Sequence, residues 1–175
     1  MSKLTRDGYA VPRSRGGLDE GLDGVRAKYT VRATAPPIGP PPPAFRVYRV
    51  GERFVYIPKH EGLKTRGVPE TVSLDEGAPI DVEFEGSLRP EQARARDAFL
   101  EAARDPRRRG GVLNLSTGAG KTVVALKIVA ELGRKALVVV HKKFLMDQWA
   151  ERIAQFLPRA RVGRGPRSQP TVRRA

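Results

Sequence analysis

Two periodicities divide the chain. From residue 88 onward apolar positions recur every three to four residues, broken by short continuous apolar runs. Ala95, Ala98, Phe99 and Ala102 follow the helical period; Pro90 suits a first turn and Asp105-Pro106 a stop, which predicts a helix over 90–104. Val112-Leu113-Asn114-Leu115 is an apolar run that ends in a glycine-containing turn. Val124, Ala125, Ile128 and Leu132 then mark one side of a helix over 122–132, closed by Gly133. Ala136–Val140, Ala-Leu-Val-Val-Val, reads as a parallel strand buried on both faces. Leu145, Trp149, Ile153 and Phe156 predict a last helix over 144–156, with Trp149 among apolar neighbours and so a core residue. Strand, loop, helix, strand, helix is the opening of a doubly wound α/β fold.

Upstream of residue 88 the period falls to two. Phe45–Val50 and Arg53–Pro58 flank Gly51-Glu52 and predict a hairpin. Phe45, Val47 and either Val55 or Ile57 should face a core, with Arg46, Tyr48 and Arg49 on a solvated side able to meet a nucleic-acid backbone or base. One helical turn within 60–67 and strands over 70–74 and 80–84 complete a small β-rich accessory domain, residues 44–87. Pro36 to Pro43 can form neither helix nor central strand and reads as an extended connector. Residues 1–35 form a weakly ordered leader: Leu18, Leu22 and Val25 have helical spacing, four glycines each cost helix stability, so at most a short, marginal helix is expected, and Tyr29 to Thr34 alternates like a strand. Residues 88–158 begin the α/β lobe, and 159–175 form a basic tail without apolar period.

Charge adds a partner. Lys+Arg 33 against Asp+Glu 19 gives a net +14 and a pI near 10.9, which favours a polyanion such as nucleic acid. Without cysteine there are no disulfides or thiolate metal sites, and the two histidines, His60 and His141, lie far apart in sequence. No apolar run approaches a membrane span and the first residues lack a signal-peptide core. The expectation is an intracellular protein of nucleus or cytoplasm, or of a virion, with no membrane partner.

The chemistry concentrates in Ser116-Thr117-Gly118-Ala119-Gly120-Lys121-Thr122. Small residues let successive backbone N–H groups curl around an anion, glycines supply positive φ, a lysine places an ammonium near terminal phosphates, and a threonine hydroxyl can reach Mg²⁺. Leu115 stands where the general phosphate-loop pattern has its first glycine.

Leu88-Arg89-Pro90-Glu91-Gln92, the Ser116–Thr122 loop and Val138-Val139-Val140-His141-Lys142-Lys143-Phe144-Leu145-Met146-Asp147-Gln148-Trp149, in that order, resemble the adenine-recognition motif, motif I and motif Ia of superfamily 2 helicases. The likeness is greatest to the branch of the poxvirus transcript-release helicase, related viral and phage enzymes and restriction-type helicases, and it extends over residues 5–163. It implies an incomplete RecA-like doubly wound lobe with a P-loop, preceded by the β-rich region. It also implies ATP and Mg²⁺ as cofactors: Arg89 and Gln92 at adenine; Ser116, Thr117, Gly118, Ala119, Gly120, Lys121 and Thr122 at the phosphates; and Thr122 at Mg²⁺. His141 and Lys142 would touch a nucleic-acid strand, DNA by preference. One departure limits the mechanism. No Asp-Glu-x-His box follows the loop, where the only acids are Glu131, Asp147 and Glu151, so no catalytic residue is identifiable. The expectation is an ATP-binding N-terminal fragment of a DNA helicase that does not hydrolyse ATP efficiently alone and self-associates through exposed sheet edges. The alternative is a non-enzymatic, basic nucleic-acid-binding module with a vestigial loop.

Overall fold

Leu4, Tyr9, Val55 and Ile57 are buried on three short strands, and their burial organises the first half of the chain. The computed structural model describes residues 1–13, 20–34 and 39–163. Leu18, Pro36-Pro37-Ile38 of the connector and the tail from Arg164 lie outside them. The chain divides into two units, one of residues 1–76 with 101–111, the other of 77–100 with 112 onward.

In the first unit, β1 (Lys3–Thr5) and β2 (Gly8–Pro12) form a hairpin in the segment read from sequence as a leader. Three further strands, β5 (Arg49–Val50), β6 (Phe54–Ile57) and β7 (Thr71–Ser73), complete a sheet in the order β5-β6-β2-β1-β7. All pairs are antiparallel except β1 with β7. Helices α1 (Glu20–Tyr29) and α2 (Lys59–Arg66) supply Leu22, Val25, Tyr29 and Leu63 to the core formed by Leu4, Tyr9, Val55 and Ile57. Gly62 permits this approach, because a Cβ there would enter the Tyr9 side chain.

The expected 45–58 hairpin is rearranged. Gly51 N–H donates to the Phe54 carbonyl (2.8 Å), which moves the turn tip to Glu52-Arg53 and pairs Arg49 with Tyr56 and Val50 with Val55. Upstream, β4 (Phe45–Arg46) instead joins β3 (Thr30–Val31) in a separate two-stranded sheet. The chain changes sheets between the two strands, so one alternation cannot run through 45–50. Phe45 and Val47 are exposed while Tyr48 packs on the core, the reverse of the sequence expectation. Val55 and Ile57 both turn inward, as residues two apart on one strand must.

Helix α3 (Pro90–Arg104), of which the residues up to Leu100 belong to the second unit, and α4 (Lys121–Leu132) and α5 (Lys143–Phe156) of that unit match the predicted helices to within a residue. Leu100, Val124 and Ile128 form its core, with Phe99, Leu113 and Leu115 against them. The runs 112–115 and 136–140 pair in no ladder among the described residues, and Val112, Leu137 and Val139 are 94%, 88% and 84% exposed. A continuous β-branched run states a preference for extended backbone, but a strand exists only where a neighbour supplies hydrogen bonds. The expected 80–84 strand likewise does not form; the preceding Pro79 makes one antiparallel bridge with Arg134, and Phe84 stacks on Phe156 at 5.5 Å between ring centres.

Candidate nucleotide-binding site

The loop between Leu115 and α4 is shaped by two glycines in the left-handed region, Gly118 (φ 81°) and Gly120 (φ 80°). A side chain at either position would be strained, and Gly120 is the residue that turns the chain into α4. The Ala119 N–H donates to the Ser116 carbonyl (3.2 Å) and closes the turn. Among the described residues, nothing beyond its own chain neighbours stands within 4 Å of where a Cβ on Gly118 would lie, so the loop is open on that side. Lys121 is exposed, and its ammonium donates to the carbonyls of Leu115 (2.7 Å) and Ser116 (2.9 Å), which arches it over the loop that precedes it. Ser116 and Thr117 are exposed, whereas Thr122 is half-buried in the first turn of α4.

Gln92 is brought to the same loop by the start of α3. It is the one buried polar side chain among the described residues, 5% exposed. Its Nε2 donates to the Ala119 carbonyl (2.8 Å) and its Oε1 accepts from the Arg89 N–H (2.9 Å). Each hydrogen bond uses one side of a planar amide, leaving one N–H and one lone pair. A Cβ on Gly120 would overlap Gln92 Nε2, so the glycine is needed for this contact as well as for its backbone angle. Arg89 is exposed and pairs with Glu91 (3.2 Å).

Below the loop, Arg96 on α3 donates to Glu131 on α4 (2.5 Å), and Lys127 approaches the same carboxylate (3.4 Å). Arg96 Nε lies 2.8 Å from the Asp97 carboxylate without the alignment a hydrogen bond requires. Sequence reasoning missed this link. Its signal is two oppositely charged residues on the inward-leaning flanks of neighbouring amphipathic helices.

The structure thus gathers Arg89, Gln92 and Ser116 to Thr122. His141 and Lys142 are exposed in the turn that enters α5, with Lys142 Nζ 5.8 Å from the Phe144 ring centre. Neither bonds to the loop among the described residues. Trp149 is half-buried and Gln148 exposed. No group of metal-ligating side chains occurs among the described residues, and no helix there is long and apolar enough to cross a membrane.

Residues 85–169, which contain the whole loop and its Gln92 support, match the family model described as Type III restriction enzyme, res subunit. A putative ATP-dependent RNA helicase of Acanthamoeba polyphaga mimivirus is 36% identical over 111 residues, 62% of this chain and 21% of that protein. A putative helicase of Invertebrate iridescent virus 3 is 36% identical over 125 residues, 66% of this chain and 37% of the relative. A DNA 3'-5' translocase of Sulfurisphaera tokodaii is 46% identical over 70 residues, 40% of this chain and 15% of the relative. These likenesses support a superfamily 2 helicase family. The mixed α/β structure, with its sheet and helices, is consistent with a RecA-like helicase domain. The chain spans well under half the length of the viral relatives it matches.

Proposed function

We propose that this chain is the ATP-binding part of a superfamily 2 DNA helicase or translocase, and that these 175 residues do not hydrolyse ATP efficiently by themselves. The observation that carries the reading is the loop itself: two left-handed glycines, an open side at Gly118, an exposed Lys121, and a buried amide from Gln92 that holds the Ala119 carbonyl. These residues fit a triphosphate. The backbone N–H groups around Gly118–Gly120 and the Lys121 ammonium suit phosphate oxygens, with Ser116 and Thr117 at the rim and the Thr122 hydroxyl toward Mg²⁺. The unused donor and acceptor of Gln92, with Arg89, suit an adenine edge. ATP with Mg²⁺ would supply the phosphoryl group whose transfer to water drives such a motor. His141 and Lys142 would meet nucleic-acid phosphates, which fixes register without reading sequence.

Hydrolysis needs an acid to hold metal or orient water. Of the acids after Thr122, Glu131 is engaged by Arg96 and Lys127, and Asp147 by Lys143 at 2.7 Å, one turn away on α5. Glu151 is exposed on α5. A radiolabelled ATP turnover assay, with and without DNA, tests this: the account expects no Lys121-dependent turnover, and clear turnover lost in Lys121→Ala would refute it.

A second reading is favoured by one observation. The Lys121 ammonium is already bonded to two loop carbonyls, as it would be in a vestigial loop of a basic nucleic-acid-binding module. In that case DNA affinity falls steeply with salt, survives Lys121→Ala and drops when residues 159–175 are removed. An ATP-induced rise in melting temperature without DNA would exclude it.

A further inference from the structure

The side of the five-stranded sheet opposite its core has a chemistry of its own. Pairing Lys3 with Ala10, Ala10 with Tyr56 and Tyr56 with Arg49 puts these four residues in one row across β1, β2, β6 and β5. Phe54 lies two residues before Tyr56 on β6, hence on the same side, opposite Pro12. The small Ala10 leaves a floor between Lys3 and Tyr56 and is itself covered, 1% exposed. The Phe54 and Tyr56 rings are half-buried, with centres 6.4 Å apart and planes inclined by 49°.

Three cations surround the two rings. Lys3 Nζ is 5.7 Å and the Arg53 guanidinium 6.0 Å from the Phe54 centre, and Arg49 is 5.8 Å from that of Tyr56. Arg49 is held by Asp7 (2.8 Å), whereas Lys3 and Arg53 have no carboxylate partner among the described residues. The core gains nothing from this arrangement: Leu4, Tyr9, Val55 and Ile57 face the other way, toward the core they share with α1 and α2.

We propose that this face is a binding platform for single-stranded nucleic acid, with bases stacked on Phe54 and Tyr56 and phosphates met by Lys3 and Arg53. Flat rings accept any base, because every base has a π-face, and neighbouring cations supply the sequence-independent attraction. Duplex bases present only their edges in the grooves, so two rings set into a sheet are reached by unstacked bases alone. An acidic peptide would use the cations and leave the rings idle. The platform lies outside the matched residues 85–169 and does not depend on the nucleotide-binding reading.

The test uses the full chain and a fluorescein-labelled twelve-nucleotide oligo-dT, with a matched duplex and poly-glutamate as competitors. Phe54→Leu/Tyr56→Leu keeps an apolar cover over Ala10 but cannot stack, and should weaken oligo-dT binding at least about tenfold. Lys3→Gln/Arg53→Gln should weaken it and flatten its salt dependence. Should the leucine variant melt early, wild-type protein with 5-iodouridine in the oligonucleotide gives the answer by photocrosslinking. A crosslink in the tryptic peptide Phe54–Lys59 supports the platform. Crosslinks found only elsewhere overturn it, as would unchanged binding by a stably folded leucine variant, duplex competing as well as oligo-dT, or poly-glutamate displacing the oligonucleotide at equal charge.

Discussion

Gly118 and Gly120 share a backbone angle but not an environment, and they should respond differently to the same change. Alanine at Gly118 meets only the left-handed strain, about 1–2 kcal/mol. Alanine at Gly120 adds a collision with the Gln92 amide, which must then leave the Ala119 carbonyl. Urea denaturation should therefore find Gly120→Ala the more destabilised of the two. Equal losses would mean that Gln92 is not anchored there. The glycines, Lys121 and Thr122 were legible in the sequence because their spacing encodes a loop. The Gln92–Ala119 bond was not: the spacing of motifs implies a ligand role for the amide, whereas its burial and partners depend on where α3 lies.

Among the elements, α3, α4, α5 and the strand segments β6 and β7 were legible to within a residue or so, whereas strand pairing was not, for a physical reason. α3, α4 and α5 satisfy their backbones internally, so period, Pro90 and Gly133 suffice to bound them. Strands require a partner distant in sequence. The β1–β2 hairpin escaped the reading although Arg6-Asp7-Gly8 carries an Asp-Gly turn signal, with Gly8 at φ 126°. The 112–115 and 136–140 runs were read as strands and stand unpaired among the described residues. The Arg107-Arg108-Arg109 loop after α3 is partly a cap. The Asp105 carboxylate accepts from the Arg107 N–H (2.8 Å) and Arg108 Nε (3.0 Å), and Arg108 also reaches Glu101 (2.7 Å). The Arg107 N–H above all, then Arg108, holds the Asp105 carboxyl below the ordinary aspartate value. A depressed folded-state value means the contribution is complete above the unfolded-state pKa and is lost as pH falls through the folded one. Hydrogen exchange at the Arg107 amide, after correction for intrinsic rate, should lose protection on acidification below pH 3.8. Asp105→Asn should remove that pH dependence; its persistence in the variant would contradict the cap.

For the whole molecule, the net charge of +14 and the exposed apolar residues pull in opposite directions. Like charge keeps copies apart at low ionic strength, while exposed Val112, Leu137 and Val139 lie in runs that join no ladder among the described residues and that a second copy could meet edge to edge. Sedimentation velocity should show a concentration-dependent shift to larger species that grows between 50 mM and 500 mM salt. A single monomeric boundary at all concentrations and salts would remove self-association from the account. The charge also points to a polyanion, as composition alone indicated, but composition could not place the contact. That required the register of β1, β2 and β6, which sets Lys3 and Arg53 beside two rings.

Nucleotide binding is the claim on which the family reading turns for this chain. Isothermal titration of ATP·Mg²⁺ into the full chain, beside Lys121→Ala, tests it without relying on hydrolysis or DNA. The account predicts saturable one-to-one binding to the wild type, weakened at least about tenfold in the variant by loss of a charge-assisted phosphate contact. No heat of binding to folded wild-type protein, or equal affinity in both proteins, would contradict it.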